Sequence, residues 1–167
     1  MSNAKHRRKC NLPNRSDRPP QAARARSADP ACPRTPRYEV PDLILAVGHY
    51  DRRVPDCLFC GIAAGEVPAT LVLDGKRVIA FRDVNPQAPT HVLVIPRDHY
   101  PNAAALATAG DGLFDELVTQ AHQVAVGAGI ADAGYRLVFN TGAEAGQTVG
   151  HVHAHVLGGR PMTWPPG

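Results

Sequence analysis

Three histidines alternate with apolar residues in the run His151-Val-His-Ala-His-Val-Leu157. Successive side chains of a β-strand point to opposite faces, so a strand here places His151, His153 and His155 together on one face. The intervening apolar side chains would then pack on the core and hold the strand rigid. The run predicts a fixed histidine face that looks into a cleft, as a positioned nucleophile requires.

The residue types alone leave two chemistries open for this histidine face. A neutral imidazole near pH 7 can act as a nucleophile or carry protons. Alternate strand positions can also present two or three ring nitrogens to one transition-metal ion. A purely structural cluster of three imidazoles is less favoured, because simpler polar residues would serve that purpose.

A glycine-rich loop, Asn140 to Gly150, leads into the histidine run. Glycine lets backbone N–H groups approach an anion without obstruction by a side chain. The loop could therefore cradle a phosphate, although a similar glycine content is common in ordinary turns.

The surrounding pattern predicts the elements that would carry these residues. One long amphipathic helix should start from an Asp111 cap and end at Gly127 to Gly129, and a short helix should end at Gly65. An Asp-Gly pair predicts a hairpin with a tight type I' turn. The expected segments are a helix over Cys57 to Ala64, a hairpin of Leu71 to Leu73 and Val78 to Phe81 around Asp74-Gly75, a central strand His91 to Ile95, and strands Tyr135 to Asn140 and His151 to Leu157. These elements indicate an α+β domain with a mainly antiparallel sheet.

Charge divides the chain into two regions. Residues 1–37 carry ten Lys or Arg against two Asp or Glu, whereas the remainder carries eight basic and thirteen acidic residues. The Arg- and Pro-rich start has almost no large apolar side chains, so we expect a disordered extension over residues 1–50 and one domain over residues 51–167. The acidic body does not favour a nucleic-acid partner. No apolar stretch approaches the roughly 20 residues of a membrane span, so a cytoplasmic protein without membrane contact is expected.

Several stretches together resemble one known family. The histidine run follows Asn140 and the Gly146-Gln147-Thr148 segment, and further stretches run from Phe81 to Pro96 and from Gly158 to Gly167. This combination is similar to the histidine triad (HIT) superfamily, in particular its nucleotide-binding adenosine phosphoramidase branch. The resemblance covers Cys57 to Gly167, about two thirds of the chain.

The resemblance implies a fold, a reaction and an assembly. It implies a HIT-like fold whose two sheets join in a homodimer. The middle histidine, His153, would attack the α-phosphorus of a purine nucleotide and form a nucleotidyl-histidine that water hydrolyses. His155 would help to hold the phosphate and manage protons. Catalysis of this kind needs no cofactor.

The resemblance also assigns residues to the substrate. Asp83 would hold the ribose hydroxyls, and a carboxylate accepting from a diol is chemically sensible. His91 would support the edge of the site, and Trp164, in the proline-rich end, would reach towards the neighbouring active site. Contacts with the phosphate or leaving group would come from Asn140, Gly146, Gln147 and Thr148.

Cys57-Leu-Phe-Cys60 has the spacing of a structural zinc site. The resemblance implies that His99 and His151 complete four ligands, as in bacterial-type members of the superfamily. His151 could then support His153 only by rigidity. The phosphoramidase branch commonly lacks these cysteines, so the sequence combines a metal signature with the ending of a metal-free branch.

Two other functions remain open at this point. One is a nucleotide-binding scaffold without relevant turnover, which the intact triad disfavours. The other is a dinucleoside polyphosphate hydrolase, a branch that usually has Gln at the third triad position. His155 therefore favours the phosphoramidase interpretation.

Overall fold

A five-stranded antiparallel sheet forms the centre of residues 54–166, the part of the chain that the computed structural model describes. The predictions for residues 1–50 lie outside this part. The spatial order of the strands is β1-β2-β3-β5-β4. Their bounds are β1 Leu71–Asp74, β2 Val78–Arg82, β3 Thr90–Pro96, β4 Tyr135–Val138 and β5 Ala154–Gly158. The predicted α+β class with an antiparallel sheet is confirmed, and β3 is the central strand as expected.

Three α-helices accompany the sheet in the described residues: α1 Leu58–Ala63, α2 Ala103–Thr108 and α3 Leu113–Gly127. The long helix α3 was predicted, with Asp111 accepting from the Leu113 amide at 3.0 Å just before the Gly112 cap. Helix α2 was not predicted. Asn102 caps it by accepting from the Ala105 amide at 2.9 Å, a signal that the sequence did offer.

The two faces of the sheet are covered by different helices. Leu117, Ala121 and Ala125 of α3 belong to one buried cluster with the apolar residues of β3 and β5. On the opposite face, Phe59 of α1 packs in a second cluster with residues Ile79, Phe81, Leu93 and Ile95. Strand β3 is therefore buried on both faces, which explains its continuous apolar sequence.

The turn between β1 and β2 differs from the predicted type I' turn. Residues 75–77 form a three-residue loop, and Gly75 is not among the described glycines with positive φ. Arg97 accounts for the difference, because its Nε donates to the Gly75 carbonyl at 2.9 Å and its guanidinium pairs with Asp74. A contact distant in sequence thus sets the loop.

The strand predicted from His151 begins three residues later, at Ala154. The Val152 amide donates to the Tyr100 carbonyl at 2.7 Å instead of joining the sheet. The partner strand β3 ends at Pro96, and its last registered pair is Val94 with Ala154. Residues 151–153 are consequently fixed by side-chain and loop contacts, and β4 also ends earlier than predicted.

Between Val54 and Pro166, none of the helices combines the length and the apolar character needed to cross a membrane.

Candidate functional site

A cleft of about 810 Å³ opens on the α1 face of the sheet, and His153 and His155 lie at its polar end together with Asp83 and Thr148. Its other wall is mainly apolar and comes from α1, the segment after it, and strands β2 and β3. The apolar lining residues are Leu58, Phe59, Ile62, Val67, Pro68, Ala69, Phe81, Val84, Leu93 and Val149. An apolar wall facing a polar end suits a ligand with a flat ring and a charged group.

The triad histidines lie on one side of the sheet, as predicted. The rings of His153 and His155 are 4.9 Å apart between centroids, and Phe59 packs edge-on against both His151 and His153. The residues between them are buried on the α3 side.

His153 is held in one orientation. Its Nδ1 lies 2.7 Å from the backbone carbonyl of His151, and only 5% of the residue is exposed. A carbonyl oxygen can only accept, so Nδ1 carries the proton and Nε2 keeps a lone pair. This tautomer is the one that a nucleophilic imidazole needs.

His155 and His91 form a hydrogen-bonded chain that begins at a backbone amide. The Gln87 amide donates to His91 Nδ1 at 3.1 Å, and His91 Nε2 therefore carries a proton. His91 Nε2 donates in turn to His155 Nδ1 at 2.8 Å. His155 Nε2 is then protonated, and this buried atom has no hydrogen-bond partner among residues 54–166. The two histidines thus present one hydrogen-bond donor, His155 Nε2–H, to the cleft.

Burial keeps these imidazoles neutral. Burial, with smaller contributions from the neighbouring rings of His153 and His91, lowers the pKa of His155 to about 4, while Asp83 opposes the shift. Burial also lowers the pKa of His91, again against the carboxylate of Asp83. Near neutral pH, His91 and His155 therefore donate hydrogen bonds without carrying a charge.

Asp83 lies at the rim of the cleft, beyond the end of β2. Its Oδ2 is 3.4 Å from His91 Nε2, and its Oδ1 accepts from the Asn85 amide at 2.8 Å. The carboxylate keeps further lone pairs that could accept from a ligand hydroxyl.

The second predicted group is also brought together. Cys57, Cys60, His99 and His151 present ligand atoms that all lie within 4.8 Å of one another. His151 Nδ1 is 3.7 Å from the Cys57 sulfur and 3.6 Å from the Cys60 sulfur, and His99 Nδ1 is 3.5 Å from Cys60. His151 Nε2 donates to the Pro96 carbonyl at 2.9 Å, so its Nδ1 lone pair faces the sulfurs. Two sulfurs and two imidazoles suit a closed tetrahedral zinc site.

Asp83, His91 and His155 form another group with atoms close enough to hold a cation. The protonation state of His91 argues against metal binding by this group. The Gln87 amide occupies the His91 Nδ1 lone pair, so the proton sits on the Nε2 atom that a metal would need. The alternative in which the three triad rings share one metal is not supported either, because His151 faces the cysteines while His153 and His155 bond elsewhere.

Gln147 braces its own loop. Its Nε2 donates to the carbonyls of Pro101 and Val149 at 2.7 and 3.0 Å, and its Oε1 accepts from the Gly142 amide at 3.0 Å. The Gln147 amide and that of Gly146 also bond within the loop. These bonds hold the loop in shape, and a direct contact of Gly146 or Gln147 with the substrate stays a prediction.

The remaining predicted substrate residues divide into two groups. Thr148 lines the cleft, and His91 reaches it through His155. Asn140 lies in the loop after β4 and is not among the cleft-lining residues, while Trp164 is 84% exposed in the single chain. Trp164 is therefore available to a partner.

The sequence interpretation missed two groups that shape the site. Phe59 packs edge-on against the His153 ring at 5.2 Å and an interplanar angle of 86°. The backbone amide of Gln87 fixes which way the hydrogen bond between His91 and His155 runs. The position of Phe59 between two candidate metal ligands was a signal that the sequence offered, whereas the role of a backbone amide leaves no signal in the sequence.

An antiparallel sheet with a histidine-lined cleft is thus the frame of the site, and residues 64–162 match the profile of the HIT domain. The chain therefore belongs to the HIT, or histidine triad, family. The purine nucleoside phosphoramidase of Escherichia coli is 40% identical over 107 residues, which cover 64% of this chain and 90% of that protein. A 14 kDa zinc-binding protein of maize is 43% identical over 120 residues, covering 70% of this chain and 93% of the relative. A crystallised HIT family hydrolase of Legionella pneumophila superimposes with a TM-score of 0.65 at 48% identity, covering 67% of this chain and all of that one.

Proposed function

We propose that this protein hydrolyses nucleoside 5'-phosphoramidates or related adenylates through a nucleotidyl-His153 intermediate. The observation that carries the proposal is the hydrogen bond from His153 Nδ1 to the His151 carbonyl, because it leaves Nε2 as a nucleophile beside the cleft. The similarity to a purine nucleoside phosphoramidase supports the substrate class.

The reaction divides into two displacements. His153 Nε2 attacks the α-phosphorus, an N–P bond forms, and the bond to the amine leaving group breaks with its electron pair. The amine takes a proton from solvent in the open cleft. The nucleotidyl-imidazolium keeps its proton on Nδ1, which donates to the His151 carbonyl, and this hydrogen bond stabilises the developing positive charge. Water then attacks phosphorus and gives up a proton to solvent, the P–N bond breaks with its electron pair returning to Nε2, and the nucleoside monophosphate and neutral His153 result.

His155 stabilises charge in both steps. Its Nε2–H donates towards a non-bridging phosphoryl oxygen, whose negative charge grows as the phosphorus is attacked. In the resting state it cannot act as a base, because both of its ring nitrogens are already assigned. Asp83 accepts from the ribose hydroxyls, and the apolar wall around Phe59 holds the purine ring.

The test is release of AMP from adenosine 5'-phosphoramidate by purified protein. His153→Ala should lower turnover by at least about 10³-fold, since the nucleophile is lost. His122→Ala provides a matched control, because His122 is exposed on α3 and bonds to Tyr135. Equal loss in both variants, or no turnover in a parent that still binds AMP, would contradict the catalytic proposal and favour a nucleotide-binding scaffold.

We also propose that zinc is held by Cys57, Cys60, His99 and His151. The ion would join the start of α1 to the segment before β5 as a structural clamp, with no part in the reaction itself. The description of the maize relative as zinc-binding supports this assignment. Metal analysis of protein purified without chelator should find about one zinc per chain, and a folded protein without metal would refute the site.

A homodimer completes the proposal. Strand β4 lies at an open edge of the sheet, and exposed Trp164 follows β5 closely in sequence. Pairing of two sheets through this edge would form a continuous sheet and bring each C-terminal segment towards the other cleft.

A further inference from the structure

Helix α1 and the residue before it serve two sites at once. Cys57 and Cys60 belong to the metal-ligand group, while Leu58, Phe59 and Ile62 line the nucleotide cleft. The helix has only six residues, so a displacement of its cysteines also displaces the side chains that line the cleft.

Phe59 connects the two sites directly. It lies between the cysteines in sequence, and its ring is 6.1 Å from that of His151 and 5.2 Å from that of His153. On its other side it meets the ring of Phe81 at 5.5 Å. A shift at the start of α1 therefore alters both the apolar wall and the neighbour of the nucleophile.

We propose that Cys57 and Cys60 form an oxidation site, at which a peroxide converts the pair to a disulfide, releases the metal and weakens nucleotide binding through α1. The inference rests on the zinc site and the nucleotide cleft of the proposed function, but not on turnover.

The positions of the two sulfurs favour this reaction. Both lie close to the same His151 nitrogen, and all four ligand atoms are within 4.8 Å. Cys57 is the extended N-cap residue of α1, so its side chain can turn towards Cys60 without unwinding the helix. A three-residue separation at a helix start is the arrangement used by redox-active cysteine pairs.

An oxidant can also reach the pair. Cys57 is only partly buried and lines a second cavity of about 490 Å³, together with Val54, Asp56 and Glu66. Cys60 lines the same cavity although it is buried. A peroxide molecule is far smaller than this space.

The chemistry balances with peroxide as the oxidant. The Cys57 thiolate attacks one oxygen of hydrogen peroxide, the O–O bond breaks, and a sulfenic acid and hydroxide result. The Cys60 thiolate then attacks the sulfenic sulfur, forms the S–S bond and expels a second hydroxide. Two electrons pass from the sulfurs to peroxide, and zinc leaves as the hydrated ion because both thiolate ligands are gone.

The experiment uses the full-length, zinc-loaded chain carrying Cys10→Ser and Cys32→Ser, which removes the thiols outside the site. Hydrogen peroxide is added, and three quantities are followed: zinc captured by a coloured chelator, loss of two hydrogens from the peptide containing Cys57 and Cys60, and the Kd for AMP. We expect release of zinc in step with disulfide formation and at least about tenfold weaker AMP binding. Dithiothreitol with added zinc should restore both.

Cys57→His is the matched control, because it keeps four metal ligands but cannot form the disulfide. Its AMP affinity should resist peroxide, which also excludes oxidation of Met162 as the cause. Retention of zinc by the parent under peroxide overturns the proposal, as does zinc release with an unchanged AMP Kd. A protein that meets the expectation but does not cleave the phosphoramidate would refute the proposed reaction alone.

Discussion

Each histidine around the cleft has one ring nitrogen fixed by a neighbour, and that neighbour determines what the other nitrogen can do. A carbonyl makes His153 a potential nucleophile, and a second carbonyl leaves the Nδ1 of His151 available to a metal ion. The Gln87 amide, acting through His91, makes His155 a donor. Residue types and spacing identified the triad, and the roles of these histidines came only from the family resemblance, because the fixing groups are backbone atoms of the folded chain.

His91 is expected to act as a positioning residue for His155. His91→Phe should lower kcat by roughly 10²-fold with little change in the Kd for AMP, because it removes the group that holds the donor. His91→Gln offers an amide N–H to His155 Nδ1 and should restore part of kcat. Single-turnover kinetics and AMP binding measure the two effects separately. Equal defects in both variants would indicate a purely structural role.

Acid should destabilise the fold through His155. Its pKa is lowered from about 6.5 in the unfolded chain to about 4 in the native protein, so the unfolded state binds the proton more readily between these values. The stabilisation is complete above about pH 6.5 and is lost as the pH falls towards about 4. His155→Gln should reduce the loss of unfolding free energy between about pH 7 and about pH 4.5, by on the order of 1–2 kcal/mol. Urea unfolding of parent and variant at both pH values checks this, and equal losses would refute it.

Helices and strands with a strong apolar periodicity were predictable from the sequence, whereas the residues at which several of them begin or end were not. The long helix α3 and the buried strand β3 were found from the sequence, because each buries an apolar pattern that belongs to the element itself. The start of β5 was misplaced and the turn after β1 was given the wrong type, and contacts with Tyr100 and Arg97 are made at these two places. Those contacts join residues that are far apart in sequence, so a pattern of neighbouring residues cannot predict them.

The end of β5 packs closely under the segment that follows α3. A Cβ added at Gly158 would lie 2.4 Å from Ile130 Cδ1 and 3.2 Å from Ile130 Cβ. Gly158→Ala should therefore destabilise the protein by about 1–3 kcal/mol through overpacking. Gly127→Ala is the matched control, because nothing lies within 4 Å of its added Cβ at the end of α3. Thermal unfolding should separate the two variants, and equal Tm values would refute the close packing.

At the scale of the whole molecule, the sequence resemblance identified the family, and the match over residues 64–162 confirms it. The homodimer remains a prediction that rests on the open edge at β4 and on the exposure of Trp164. Light scattering should give twice the 17.8 kDa chain mass. A stable monomer would remove the basis for any contribution of Trp164 to a second cleft.

Mixed dimers test that contribution. Trp164→Ala and His153→Ala should each be impaired, but refolding them together should yield dimers with one intact site, formed by His153 of one chain and Trp164 of the other. The mixture should then exceed the average activity of the two separate variants. If Trp164 serves its own chain, mixing restores nothing.

His151 also has a bearing on how this protein could change over generations. Its ring bonds to Pro96, its carbonyl holds His153, and only its Nδ1 faces the cysteines. Replacement of Cys57 or Cys60 leaves both the ring contact to Pro96 and the backbone bond to His153 possible, whereas replacement of His151 removes the contact to Pro96 and the ring nitrogen facing the cysteines together, and keeps only the backbone carbonyl. A lineage could therefore lose the proposed metal site through its cysteines and keep its histidine triad, whereas loss of His151 would take one ligand from that site and one member from the triad in a single step.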